Sequence, residues 1–293
     1  MNKSPKFSIV TPSYNQATFI SETIESVISQ EGKFEIEYFV MDGGSTDDSV
    51  QIIKNYTDRL EKGDWQVKCD GIKMSWVSEK DRGQVDALKK GFKQAKGDIY
   101  CWLNSDDIFV DENVFQKVVN YFEADPDLGL LTADGPFITK DGLETGIHHV
   151  DQINFKELLF LDYHILQPST FFRQNIYKNQ YLNERYICAF DSDFFIHIIS
   201  DGVKYKKTDD RFGAFRFYPE NKTASLNKRR YLEAIQISLT YSKNIYFILI
   251  GIVYRFFEVI LKPRYFGKVM IFNQIFTIIQ RISYKLITGK PER

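Results

Sequence analysis

The sequence predicts an α/β protein: a mainly parallel, doubly wound sheet followed by a helical extension. Three observations carry this. Through the first 140 residues, short apolar runs alternate with segments whose apolar residues recur at helical spacing, the mark of successive right-handed βαβ units. Each of the first four apolar runs ends in polar, acidic or glycine residues. From Arg229 onward the strand pattern stops and the chain reads as mostly helical.

The elements follow in order. Lys6–Thr11 is a short strand rich in β-branched residues, and Ala17–Ser29 sets Phe19, Ile20, Ile24, Val27 and Ile28 at helical spacing. Glu35–Met41 is the second strand. Thr46–Leu60 is helical, with Ser45 or Thr46 as its N-cap and acids in its first turn. Met74–Val77 is a third strand, and Gln84–Lys96 a helix closed by Gly97, the usual C-terminal stop. Asp98–Leu103 is the fourth strand and Glu112–Glu123 the next helix. Past residue 125 the rhythm loosens. Leu128–Ala133 and Phe137–Thr139 read as strands around a turn at Asp134-Gly135-Pro136. Phe155–Leu161 and Ser192–Ser200 read as helices, Lys204–Lys207 and Ala214–Tyr218 as strands. The terminal helices break at Pro263 and Gly267. No internal repeat or low-complexity stretch interrupts the chain.

With 293 residues, 43% apolar and 26% charged, the chain can bury a sizeable core without staples. Three scattered cysteines, Cys69, Cys101 and Cys188, fit neither a disulfide framework nor a zinc spacing and point to a reducing compartment. The first residues, MNKSPKFSIVTPSYN, lack the apolar stretch of a secretory signal. The net charge of −1 hides an asymmetry. Residues 243–293 hold nine Lys/Arg against two acids, a balance of +7, which leaves −8 on residues 1–242. An acidic body with a basic tail suggests that the tail meets an anionic surface.

In an open parallel sheet, ligands bind beyond the carboxyl ends of the strands. Those ends read Thr11-Pro12-Ser13-Tyr14-Asn15, Asp42-Gly43-Gly44-Ser45-Thr46, Glu79-Lys80-Asp81-Arg82-Gly83 and Asn104-Ser105-Asp106-Asp107. One acidic turn is ordinarily a solvated loop or a helix cap. Four along one edge bring Asp42, Asp81, Asp106 and Asp107 together, more negative charge than an edge holds without a cation. Magnesium or manganese, bound by one or two carboxylates and substrate phosphates, suits such an edge. Neither GxxxxGK[ST] nor a GxGxxG after the first strand is present, so a nucleoside diphosphate held through a metal fits better than a P-loop or dinucleotide site.

TPSYN, MDGGSTDDS, SEKDRGQVDALKKGF and WLNSDD, in this order and spacing, closely resemble the family 2 inverting glycosyltransferases, which have the GT-A fold. QPSTFFR, AFDSDFF and FRFYPENKTAS resemble that family's acceptor-side motifs, and the resemblance covers roughly residues 6–226. It implies a nucleotide-sugar-binding half over 1–125 and an acceptor half over 126–226; charge and helical spacing mark 227–293 as a basic amphipathic tail. It places Thr11, Pro12 and Tyr14 in the nucleotide pocket, with Tyr14 beside the base. Asp42 would accept a hydrogen bond from the uracil imide or the ribose, and Asp81 and Arg82 would sit near the nucleotide and diphosphate. The family's DxD element falls on Asn104-Ser105-Asp106. Asn104 and Ser105 then face the donor and Asp106 holds the metal, with Asp107 a further candidate. Gln167 and Arg216 fall on the acceptor side. The catalytic base falls on Asp191, with Asp193 as the alternative. The sequence departs from the family where Phe190 replaces a Glu before the base and where Tyr218 takes the place of a metal-binding His. His148, His149, His164 and His197 fit no metal spacing.

The resemblance implies an inverting transfer from a nucleotide-sugar, UDP-linked, to a glycan or lipid-linked acceptor in surface glycan assembly, with manganese or magnesium and no nucleic acid. The rival readings are a nucleotidyltransferase, for which TPSYNQ lacks a basic Gly-rich triphosphate loop, and a noncatalytic nucleotide- or glycan-binding module. The longest uncharged runs of the tail, Asn244–Tyr254 and Val269–Gln280, have 11 and 12 residues, short of the roughly 20 a spanning helix needs. Ile248, Ile252, Phe256 and Val259 share one helical face, and Ile271, Ile275, Ile278 and Ile282 another. With the basic excess, these predict helices docked peripherally on the cytoplasmic face of a membrane; the alternative is packing on the catalytic domain or on a second subunit.

Overall fold

The computed structural model of the protein describes residues 4–150, 153–161, 165–261 and 270–290. The chain runs β1 (Lys6–Ser13), α1 (Ile20–Ile28), β2 (Glu35–Asp42), α2 (Ser49–Lys62), β3 (Gly71–Ser78), α3 (Gln84–Gln94), β4 (Ile99–Trp102), β5 (Ile108–Phe109) and α4 (Val114–Ala124). It continues as β6 (Leu130–Ile138), β7 (Glu144–His148), α5 (Phe155–Phe160), β8 (Thr170–Arg173), α6 (Phe190–Ser200), β9 (Tyr205–Arg211), β10 (Gly213–Arg216), α7 (Lys222–Ser225), α8 (Asn227–Tyr241), α9 (Ile245–Leu261) and α10 (Met270–Thr288).

The sheet order is β3-β2-β1-β4-β8-β6-β10-β5, with β7 and β9 also paired to β6. The first four strands are parallel. Strand β8 then runs antiparallel to both β4 and β6, so the expected parallel half gives way to a mixed half. Register decides where the site forms. Ser13 pairs with Asp42 and Asp42 with Ser78, so three strand ends finish level.

Side chains alternate between two apolar layers, as a sheet covered on both faces requires. Phe7, Ile9, Ile36, Tyr38, Val40 and Cys101 pack under α1, α2 and α4. Val10, Phe39, Met41, Tyr100 and Trp102 face the other way, toward α3, α5 and α6. Helix α8, expected in the tail, belongs to this second layer: Ile237 is buried in it, and the Ser238 hydroxyl donates to the Leu159 carbonyl at 2.6 Å.

Several local expectations are corrected. Helix α2 starts at Ser49 rather than Thr46, because Ser45 turns back to Asp42 and Thr46 N–H donates to Asn15. Gly97 is no helix stop, since α3 ends at Gln94 with Ala95 as its cap. A side chain at Gly97 would lie 2.6 Å from the Lys6 carbonyl oxygen, so the glycine permits close approach to β1. Asp134-Gly135-Pro136 is not a turn but the middle of β6. Strands β5 and β7 carry no signal that the sequence pattern registers. Pro263 and Gly267, the expected tail breaks, lie outside the described residues, as does His164.

Gly135 shows why a turn-like triplet sits in a strand. A methyl group there would fall 2.0 Å from the Gly213 carbonyl oxygen and 2.5 Å from Leu166. Overpacking of this kind costs roughly 1–3 kcal/mol or more. Gly135→Ala is expected to lower the urea unfolding midpoint by at least that equivalent; an unchanged midpoint would show that β6 and β10 do not approach this closely.

Candidate active site

The ends of β1 to β4, the first turn of α6 and the segment from Phe215 to Arg230 enclose a cavity of about 1220 Å³. On the β1 side, Pro12, Ser13 and Tyr14 line it, and Tyr14 is 59% exposed, leaving a ring face for stacking. Thr11 does not reach it. Its side chain is buried and its hydroxyl accepts from Tyr38 Oη at 3.0 Å.

Asp42 is also turned inward and is only 2% exposed. Its Oδ2 accepts from Gly44 N–H (3.1 Å), Ser45 N–H (2.9 Å) and the Ser78 hydroxyl (2.7 Å), while Oδ1 accepts from the Ser45 hydroxyl (2.5 Å). Four donors use up a carboxylate's acceptor sites. The residue expected to read the base instead folds the Gly43–Ser45 loop. Asp81 does line the cavity, pressed so close to Gly43 that a side chain there would lie 2.8 Å from its Oδ2. Arg82 points away, its guanidinium paired with Asp86 at 2.8 Å and Glu184 at 3.3 Å.

After β4, the loop turns three successive residues to the cavity and the fourth away from it. Asn104, Ser105 and Asp106 line the cavity. Asn104 accepts from Gln84 Nε2 (2.6 Å) and donates to Asp107 Oδ2 (3.0 Å) and Gln167 Oε1 (3.1 Å). Gln167, also on the wall, is fixed by donating to the Trp102 carbonyl at 2.6 Å. Asp106 accepts from the Tyr218 hydroxyl at 2.9 Å, and burial raises its pKa. Asp107 is buried behind it and accepts Arg216 N–H at 2.9 Å. Burial first, and the Asp106 charge second, push its carboxyl well above the usual range. Asp107 is therefore bound to the scaffold and, unlike Asp106, is not among the residues that line the cavity.

Arg216, expected on the acceptor side, is fully buried beneath this loop. Its Nε donates to the Asp106 carbonyl (2.8 Å), Nη1 to the Thr139 and Lys140 carbonyls (3.2 and 2.8 Å), and Nη2 to Glu22 (2.5 Å).

Helix α6 begins at Phe190, so Asp191 and Asp193 both lie in its first turn. Residues two apart leave a helix in different directions, and only Asp191 faces the cavity. Burial raises its pKa to about 6, while Lys222 and Arg230 pull the other way. Asp193 is buried beside His197, Asn183 and Tyr241.

Three further residues shape the site. Lys222 lines the cavity and donates to Gln84 Oε1 at 2.8 Å; burial lowers its pKa. It lies inside FRFYPENKTAS, where its motif position is the available signal. Arg230 lines the cavity from α8. Glu233 of α8, 4% exposed, accepts the N–H groups of Ile187 (3.0 Å), Cys188 (2.8 Å) and Ala189 (3.0 Å) and pairs with Arg229 at 2.8 Å. It thereby pins the segment leading into α6. Helical periodicity alone does not reveal this, because it shows which face is apolar but not what the face meets.

Among the described residues no cluster of three or more Asp, Glu, His or Cys side chains is arranged to hold a metal. The donors that face the cavity here are hard oxygens, chiefly Asp106. That set fits a magnesium or manganese ion bound largely through substrate phosphates.

The family model for glycosyl transferase family 2 matches residues 8–179, more than half of the chain. The chain belongs to glycosyltransferase family 2. Over 119 residues it is 32% identical to an uncharacterized glycosyltransferase of Mycobacterium tuberculosis, covering 41% of this chain and 40% of that protein. Over 251 residues it is 27% identical to the minor teichoic acid biosynthesis protein GgaB of Bacillus subtilis, covering 82% of this chain and 26% of GgaB. The alignments thus span less than half the length of these relatives. Among solved structures, Staphylococcus aureus TarS 1–349 in complex with UDP-GlcNAc matches with a TM-score of 0.60 at 16% identity, over 96% of this chain and 81% of TarS 1–349. The mannosyltransferase PcManGT of Pyrobaculum calidifontis, in complex with GDP-Man and Mn2+, matches with a TM-score of 0.58 at 16% identity, over 83% of this chain and 66% of that one. The shared fold is GT-A.

Within this family 2 site, Glu233 is open to direct measurement. Removing its carboxylate leaves three N–H groups without their acceptor, and a buried unsatisfied donor costs about 1–3 kcal/mol. Glu233→Ala is expected to lower the thermal midpoint clearly, with Glu233→Gln milder because one acceptor oxygen remains. Equal midpoints for wild type and Glu233→Ala would show that the 187–189 segment is held by other contacts.

Proposed function

We propose that the chain transfers a sugar from a UDP-linked donor to a glycan or lipid-linked acceptor, with inversion, in surface polysaccharide or glycoconjugate assembly. The observation that carries this reading is Asp191. It is the carboxylate of the α6 first turn that faces the cavity, and its pKa of about 6 leaves it ionised yet basic near neutral pH. In this reading Tyr14 stacks on the base, while Pro12, Asp81, Asn104 and Ser105 line the donor. A divalent cation, held by Asp106 and the donor's phosphates, would offset charge on the departing diphosphate. Asp191 takes the proton of the acceptor hydroxyl as the new bond forms at the anomeric carbon, and the walls hold the two reactants in line. The UDP-GlcNAc and the GDP-Man with Mn2+ in the two neighbouring structures support a nucleotide-sugar donor and a metal.

The same reading places the protein peripherally on an anionic membrane face. Among the described residues, no helix is long and apolar enough to cross a membrane. Helix α9 exposes Ile245, Leu249, Ile252, Val253 and Phe256, and α10 exposes Ile278, Ile282 and Leu286. Ile248, expected on the outer face, is buried instead and packs inward with Tyr254. The side chains of Val259, Ile271 and Ile275 lie outside the described set.

Two experiments test the chemistry. Asp191→Asn keeps size but cannot accept the proton, so kcat is expected to fall by about 10²–10⁴ with UDP affinity unchanged. Wild-type turnover is expected to decline as pH drops through about 6, because the base works only when ionised. A wild-type profile flat to pH 5, or full turnover in Asp191→Asn, removes Asp191 as the base.

The second addresses donor and cation. Calorimetric titration with manganese present is expected to show UDP binding tighter than GDP, and Asp106→Ala is expected to abolish the manganese dependence. A GDP preference would reassign the donor. Metal dependence that survives in Asp106→Ala would move the ion elsewhere.

A further inference from the structure

Asp106 is the carboxylate that the strand ends offer to a cation, yet one of its two oxygens is already bonded. Oδ2 accepts from the Tyr218 hydroxyl at 2.9 Å. That phenol is itself held in place. Tyr218 is 8% exposed, its ring packs 5.0 Å from the ring of buried Phe19, and the Gln16 side chain hydrogen-bonds the same hydroxyl. Two residues earlier, Arg216 donates from Nε to the Asp106 carbonyl at 2.8 Å and sets its guanidinium 5.0 Å from the Phe19 ring. One short segment therefore grips Asp106 twice, Arg216 at the main chain and Tyr218 at the carboxylate.

The neighbouring acids offer no replacement for the bonded oxygen. Asp42 and Asp107 are committed to the scaffold, and Asp81 Oδ1 accepts the Gly83 N–H at 2.8 Å. Among the described residues no group of three or more Asp, Glu, His or Cys side chains is arranged to hold an ion. A hard divalent cation fills its coordination sphere with several oxygens. A neutral phenol that donates to a carboxylate adds no anionic ligand. What the protein supplies at this point is one oxygen of one carboxylate, and the remaining ligands come from phosphate and water.

We propose that Tyr218 is a positioning residue that withholds one oxygen of Asp106, so that the chain takes its divalent cation only as the nucleotide complex and has no standing affinity for the free ion. This rests on the reading of Asp106 as the carboxylate that meets the cation of a nucleotide-sugar donor. With no cation bound, the hydrogen bond from Tyr218 draws charge from Asp106 and lessens its repulsion of a diphosphate. With the cation bound, Asp106 meets it through the other oxygen while its direction stays fixed by Tyr218 and Arg216. Cation and nucleotide then arrive and leave together.

The test uses the full chain, manganese and UDP, with calorimetry for the nucleotide and paramagnetic resonance for the free ion. Circular dichroism checks that each variant folds. Wild type is expected to bind no manganese alone at concentrations where manganese with UDP binds. Tyr218→Phe keeps the ring against Phe19 but releases Oδ2. The factor by which manganese raises UDP affinity is then expected to grow at least about threefold over wild type, since the released oxygen repels metal-free diphosphate and attracts the ion. Tyr218→His puts an imidazole, the commonest metal ligand, beside Asp106. It is expected to bind manganese with no nucleotide present, and to lose that binding when Asp106→Ala is added. Manganese bound by wild type as tightly without UDP as with it overturns the proposal. So does a factor in Tyr218→Phe no larger than in wild type, or no gain of free-ion binding in Tyr218→His. A wild type that binds no UDP, with or without manganese, would instead defeat the nucleotide-sugar reading, and the titration of Tyr218→His, which needs no nucleotide, would still decide the role of Tyr218.

Discussion

The buried Arg216 guanidinium is the interaction on which the rest of the site depends. It joins the loop after β4, the segment after β6 and helix α1 through the Asp106, Thr139 and Lys140 carbonyls and the Glu22 carboxylate. These elements come from distant parts of the chain, and no apolar contact would fix their mutual orientation so specifically. Breaking one partner of such a buried charged network costs about 3–5 kcal/mol, because the remaining charge stays desolvated. Arg216 and Asp107 hold the loop from behind, so Asp106 is delivered to the cavity with its direction set by the fold.

That arrangement explains two adjacent carboxylates at the mouth of an apolar strand. The pair divides into one acid that faces the cavity and one that faces the scaffold. Both are desolvated and both are raised in pKa for that reason. A cation at Asp106 would favour its ionised form, as would the Tyr218 hydroxyl that already donates to it. The same logic runs through Asp42, which exchanges ligand contact for control of a glycine loop, and through Asp193, which stands in the same helical turn as Asp191 but faces the interior.

The first four strands and the helices between them are legible in the sequence because each obeys a local period: two in the strands, 3.6 in the helices. The edge that carries the site is legible for a topological reason, since the carboxyl ends of parallel strands open into the crevice whatever their detailed sequence. Direction within a strand end is not. Thr11, Asp42, Asp107 and Arg216 lie in the right segments yet face inward, because that choice depends on partners remote in sequence: Tyr38 donates to Thr11, Ser78 to Asp42 and Arg216 N–H to Asp107, while Glu22 accepts from the Arg216 guanidinium. Asp134-Gly135-Pro136 misleads for a related reason. Its composition is that of a turn, but Gly135 is required by the approach of β10, which only the folded chain shows.

The tail shows the same limit at the scale of a whole helix. Its pattern marks it as amphipathic, and amphipathic helices serve equally on a lipid surface and on a protein. Here one helix does the second in a way that bears on the first. Helix α8 fixes the approach to α6 through Glu233, supplies Arg230 to the cavity wall and leads directly into α9. The group proposed as the base is therefore positioned by the same segment that presents the apolar outer face. Glu233 thus ties the backbone just ahead of the proposed base to the helix that runs on into the exposed apolar face of α9.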